Sequence, residues 1–160
     1  MDKKMFCFQC EQTVGCAGCT GNAGVCGKKA DTARLQDELT GALIGLARAV
    51  DSTTAISKRT GQVIIEGLFT TVTNVNFDDV SIENMIQKVR AEKERLVPDC
   101  SKCQSSCGKT DEYDMQQLWN ANEDIRSLKS LILFGIRGMA AYAYHANVLN
   151  YEDTEVNRFF

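Results

Sequence analysis

From residue 31 onward the apolar positions of the chain fall at helical intervals. Behind Asp31, a residue type that caps helix N-termini, Leu35, Leu39, Leu43, Leu46 and Val50 recur three or four residues apart and predict a first helix. Val63, Ile64, Leu68 and Val72 form a second stripe. Ser81 opens a third helix carrying Ile82, Met85, Ile86, Val89 and Leu96, and Pro98, which has no N–H to extend the ladder, closes it. The longest pattern runs from about Asn122 to Leu149, with Ile125, Leu128, Ile132, Gly135, Met139 and Ala143 and small residues that permit close helix contact. Between the second and third patterns, Thr70 to Phe77 is rich in β-branched residues, but no partner strand is evident, so it reads as a helix end and a loop. Asp153 or Thr154 starts a last short helix with Val156, Phe159 and Phe160 on one side. These patterns predict an all-α fold: a helical bundle over residues 31–160 behind a cysteine-rich segment, residues 1–30. The final helix is barely two turns long and leaves two phenylalanines little to pack against, which reads as truncation of a longer protein.

Composition narrows the function classes. A chain of 160 residues is one ordinary domain, and a net charge of −3 without a basic stripe argues against nucleic acid. The longest apolar run, Leu131 to Ile136, is far too short to span a bilayer. Met1-Asp2-Lys3-Lys4 leads straight into Phe6-Cys7 with no apolar leader, so the expectation is a cytoplasmic protein with reduced thiols. Its eight cysteines then point to metal rather than to disulfides.

Four of them, Cys7, Cys10, Cys19 and Cys26, stand two, eight and six residues apart on a glycine-rich segment. Iron in a cluster takes soft sulfur ligands, and a short loop that curls tightly can bring four thiolates around one cluster. The segment therefore reads as an electron-handling module. Cys16 adds a second possibility, because Cys7, Cys10, Cys16 and Cys19 form two CxxC pairs, a zinc pattern when suitably separated; the five residues between them are fewer than usual. A further group, Cys100, Cys103 and Cys107, follows Pro98 and reads either as a disulfide-forming or redox loop or as a second zinc or cluster site. The single histidine, His145, reads as a packed core residue, Tyr113 and Trp119 as anchors of the second cysteine loop, and the run Glu92 to Arg95 as a solvated helix face. No phosphate-cradling glycine loop and no nucleophile triad is evident.

Several stretches together carry a family resemblance: Met5-Phe6-Cys7-Phe8-Gln9-Cys10-Glu11-Gln12-Thr13, Gly24-Val25-Cys26-Gly27-Lys28, Leu35-Gln36-Asp37, Leu68 to Asp78 and Leu131 to Ala146. The chain resembles the N-terminal helical domain of the hybrid-cluster (prismane) proteins, the hydroxylamine reductases. That resemblance implies a proximal cluster on Cys7, Cys10, Cys19 and Cys26, a [4Fe-4S] cluster given the short cysteine intervals. It also implies two later α/β domains, whose hybrid iron–sulfur–oxygen cluster is the site of reduction and whose ligands have no counterpart in this chain. A complete member would reduce hydroxylamine to ammonia and water with two electrons and two protons. This chain, inactive alone, would keep the electron port, with an electron-donor protein and the missing domains as its partners. Two other classes stay open, a stand-alone iron–sulfur carrier and a zinc-stapled interaction module. Exposed apolar surface left by a cut within a domain would also allow a homodimer.

Overall fold

The computed structural model describes residues 5–10, 17–50, 56–72, 76–97 and 111–160. Among them it has six helices, α1 (Ala30–Ala49), α2 (Lys58–Thr70), α3 (Asp79–Leu96), α4 (Met115–Trp119), α5 (Glu123–Val148) and α6 (Thr154–Phe159), and no strand. The fold is all-α, as the periodicity predicts. None of these helices is long and apolar enough to cross a membrane.

The stripes read from the sequence build the core. Leu35, Leu39, Leu43 and Leu46 of α1 meet Val63, Ile64 and Leu68 of α2 and Ile82, Met85, Ile86 and Val89 of α3. The helix α1 lies along α3, and α2 packs on both α3 and α5. Thr70 ends α2 and Thr71 and Val72 form the turn after it, so Val72 belongs to the turn and not to the stripe.

Two helix starts differ from expectation. Asp31 is not the cap of α1: Lys29 holds that position without a side-chain bond, and Asp31 lies in the first turn, where a carboxylate favours the positive end of the helix dipole. Asp78, not Ser81, caps α3, accepting from the Val80 N–H at 3.2 Å, while Ser81 Oγ donates to its other oxygen at 2.6 Å. The five-residue α4 was too short to leave a periodic signal.

The long helix α5 is apolar nearly all round, and Ile125, Leu128, Ile132 and Met139 of the stripe chosen from the sequence lie on its outer face, whereas Ala143 of that stripe does not. Leu128 and Ile132 are 62% and 60% exposed, while Leu133, Ile136, Ala140, Ala143 and Tyr144 pack on the core. Of the two terminal phenylalanines, Phe160 packs against the core and Phe159 is exposed. The helix α6 that carries them leans on α2.

Two residues reverse their expected settings. His145 is exposed rather than a core residue, its ring lying edge-on to Phe69 at 5.4 Å and Tyr144 at 5.9 Å. Glu92 is buried rather than solvated. It accepts from Arg95 Nη2 at 2.6 Å, Thr60 Oγ1 at 2.7 Å and Arg59 Nε at 3.0 Å.

Candidate metal centre

The cysteine-rich segment is folded by its own backbone. Cys7 and Cys19 form an antiparallel bridge, each N–H donating to the other's carbonyl at 3.1 and 2.8 Å. Further on, the Gly24 N–H donates to the Lys28 carbonyl at 2.8 Å and the Gly27 N–H to the Gly24 carbonyl at 2.9 Å, closing a tight turn around Cys26. Gly27 makes that turn at φ +83°, a conformation that costs other residues. Cys7 and Cys19 are buried with Met5 and Ala33. The Met5 Cε and the Cys26 Sγ both lie 3.4 Å from where a side chain on Gly24 would begin, so Met5 links the turn to the bridge.

The segment is pinned to the bundle by aromatic rings. Phe6 and Phe8 meet Trp119 of α4 at 5.0 and 4.9 Å between ring centres, and Arg126 of α5 covers Trp119 at 4.7 Å. Trp119 therefore anchors the first cysteine loop. Tyr113 reaches α1, its N–H donating to the Gly41 carbonyl at 3.1 Å, and the second cysteine loop that both were expected to anchor lies outside the described residues. A cleft beside Phe6 is lined by Asp37, Glu38, Glu112 and Asp114 together with Arg34.

Beneath the loop lies a buried polar network. Lys28, 1% exposed, donates to the side-chain oxygens of Gln9, at 2.7 Å, and of Gln36. Gln9 Nε2 donates in turn to the Ala33 carbonyl at 2.9 Å and to Asp37 at 2.6 Å, and Gln36 Nε2 donates to the Asn76 carbonyl at 2.9 Å. Arg137, from the inner face of α5, donates to Thr71 and Thr40 hydroxyls at 2.9 Å each and to the Gln9 carbonyl at 3.5 Å. Among the described residues neither Lys28 nor Arg137 has a carboxylate within ion-pair distance.

Burial shapes the charges of this network. It raises the Cys7 thiol pKa, opposed by the Gln9 backbone N–H and by the positive charge of Lys28. It pushes the Asp37 carboxyl up to about 6 despite the bond from Gln9 and the charges of Arg137 and Lys28. It lowers Arg137 to about 10, with Asp37, Cys7 and Cys10 favouring the cation. An unpaired buried cation is expensive, and it is made tolerable by hydrogen-bond acceptors and by nearby negative charge.

Among the described residues no three His, Cys, Asp or Glu side chains converge on one ion-sized point. A cluster is held differently, by sulfurs spread around several metal atoms. The donor set fits such a group: thiols at Cys7, Cys10, Cys19 and Cys26, carried on one loop and set over two buried cations that would balance thiolate charge. Cys16, and with it the double-CxxC zinc arrangement, lies outside the described residues, as do Cys100, Cys103 and Cys107.

The sequence pattern of the Prismane/CO dehydrogenase family matches residues 5–160. The chain belongs to that family. Its relatives include hydroxylamine reductases from Methanococcus vannielii, 39% identical, and from Clostridium perfringens, 38% identical, each aligned over 97% of this chain and 32% of its own length. The hydroxylamine reductase of Porphyromonas gingivalis strain W83 is 40% identical over 99% of this chain and 32% of its own. The chain thus spans about a third of the length of the curated relatives it matches.

Within this prismane-family chain, the sequence singles out the cysteines as candidates and gives no account of what lies under them. Gln9, Lys28, Gln36 and Asp37 stand inside the motif stretches, and Arg137 is a lone cation in the apolar run Leu131 to Ala146. A charged residue in the middle of an otherwise apolar helix face was the signal available for Arg137.

Proposed function

We propose that Cys7, Cys10, Cys19 and Cys26 hold a [4Fe-4S] cluster, and that the chain is the electron-receiving portion of a hydroxylamine reductase. On this reading the reaction centre belongs to the two thirds of the relatives' length that this chain does not span. The observation that carries the reading is the folded cysteine loop: the Cys7–Cys19 bridge and the Cys26 turn draw the segment together over buried positive charge.

A bound cluster supplies one-electron outer-sphere transfer, its potential set by net charge, hydrogen bonds to sulfur and exposure. The protein's own groups do the rest. Phe6, Phe8 and Trp119 fix the loop on the bundle. Met5 and Ala33 keep water from the Cys7 and Cys19 side, and Gln9 orients Lys28 and Asp37. An electron-donor protein docks at the loop. Electrons leave toward the reaction centre, where hydroxylamine takes up two electrons and two protons to give ammonia and water.

The test is electron bookkeeping on the anaerobically reconstituted chain. Dithionite bleaches its visible absorption, the reductant is removed, and an oxidised dye acceptor is added. The reading predicts about one electron returned per chain with recovery of the colour and no consumption of hydroxylamine. Hydroxylamine turnover by this chain alone would contradict the division of labour. Colourless protein with stoichiometric zinc would replace electron transfer by the zinc-stapled reading.

A further inference from the structure

Lys28 and Arg137 are buried cations, 1% and 5% exposed. The contacts of both are to neutral groups: two amide oxygens for Lys28, two hydroxyls and a carbonyl for Arg137. Lys28 also stands 5.8 Å from the centre of the Phe77 ring, a weak further support for its charge. By contrast, the other arginines of the bundle that are seen to form ion pairs do so nearer the surface, Arg34 with Asp31 and Glu38, Arg90 with Glu38 and Glu112, Arg95 and Arg59 with Glu92. Among the described residues the one carboxylate bonded into this network, Asp37, is shared through Gln9, and burial works against its ionisation. The local charge therefore runs from +1 with Asp37 ionised to +2 with it neutral, counting Lys28, Arg137 and Asp37. Two elements far apart in the chain supply these cations to one place, since Gln9, between Cys7 and Cys10, accepts from both.

We propose that Lys28 and Arg137 form a cationic floor under the four-cysteine loop, balancing the negative charge of a thiolate-bound cluster and holding its reduction potential up. The assignment rests on the proposal that the loop holds a cluster. Both residues are positioning groups, acting by charge and through Gln9. Reduction adds one electron, and a fixed buried positive charge stabilises the form that carries it. No bond breaks and no proton is required. The same charges carry a desolvation cost when the loop is empty, because no counter-ion faces either of them there among the described residues. The floor thus predicts a lowered potential in whatever cluster is retained when a cation is removed, which a purely structural role does not.

The experiment compares wild type with Lys28→Met, Arg137→Gln, the charge-retaining Lys28→Arg and the exposed control Lys88→Gln. Each is measured for guanidinium unfolding when empty, and after anaerobic reconstitution for iron and sulfide per chain and for midpoint potential. The expected result is an empty Lys28→Met that still folds cooperatively, with the Gln9 and Gln36 oxygens left without their donor, and that retains less iron and sulfide. In the cluster it does retain, the reduced-to-oxidised ratio at fixed poise falls tenfold or more, a shift of ~59 mV to lower potential for one electron. Arg137→Gln should shift the same way, and Lys28→Arg and Lys88→Gln should stay within threefold of wild type. Equal loading and potential in Lys28→Met and Arg137→Gln would overturn the floor while leaving the cluster reading intact. An empty Lys28→Met that fails to fold would also overturn it, making Lys28 a structural residue. A wild type that takes up no iron and sulfide overturns the cluster reading and the floor with it.

Discussion

Glu92 shows how a single buried carboxylate is held and what it contributes. Its pKa falls from 4.5 to about 2 because Arg95 donates to it, with Thr60 and the charges of Arg95 and Arg59 adding to the effect. A carboxyl pKa lowered on folding gives stability that is complete above the unfolded value and is lost as pH falls through the folded one. Glu92→Gln should therefore cost about 1–2 kcal/mol at neutral pH, discounted for the solvated arginines, in denaturant unfolding. That difference should shrink as pH drops from 4.5 toward 2, and a constant difference would place the contribution elsewhere. Gly41 is constrained by space: an added Cβ would lie 2.2 Å from the Tyr113 carbonyl oxygen. Gly41→Ala should destabilise the protein by about 1–3 kcal/mol, the clash outweighing alanine's better helix propensity. A variant as stable as wild type in urea would mean that the Tyr113 segment moves away freely. Neither effect was legible beforehand. Glu92 sits in a run of charges that reads as solvent-facing, and its partners Arg59 and Thr60 belong to another helix, so only the tertiary pairing of α2 with α3 reveals its burial.

Among the helices, legibility followed amphipathicity. The stripes of α1, α2 and α3 were readable because polar residues occupy their other faces, leaving one choice of inner side. The helix α5 offered no such contrast, and its inner face is marked by Ala140 and Arg137 rather than by its largest side chains. The helix α4 could not be seen at all, since five residues make little more than one turn. Unfolding measurements on paired α5 variants test this assignment of faces. Leu128→Ser and Ile132→Ser should each stay within about 0.5 kcal/mol of wild type, as substitutions at exposed positions do. Ala140→Leu, which forces extra volume into the core, should cost about 1–3 kcal/mol. The reverse order would mean that α5 turns Leu128 and Ile132, not Ala140, toward the core.

For the molecule as a whole, the helical bundle is a platform that brings one short loop and two distant cations together. The four candidate cysteines were legible directly, because candidate ligands are read from local spacing. The cationic floor is not local: Arg137 is 128 residues from Gln9, whose carbonyl it reaches, and only the packing of α5 against α2 places it there. The match to the Prismane/CO dehydrogenase family covers loop and bundle as one stretch. The central claim is that Cys7, Cys10, Cys19 and Cys26 together hold one cluster. Iron and acid-labile sulfide should be counted per chain after anaerobic purification, on wild type and on the Cys→Ser variants at these four positions and at Cys16. The account predicts about four of each in wild type and in Cys16→Ser, with loss of both in Cys26→Ser and the three others. Zinc without sulfide, lost on replacing Cys16 and kept on replacing Cys26, would contradict it.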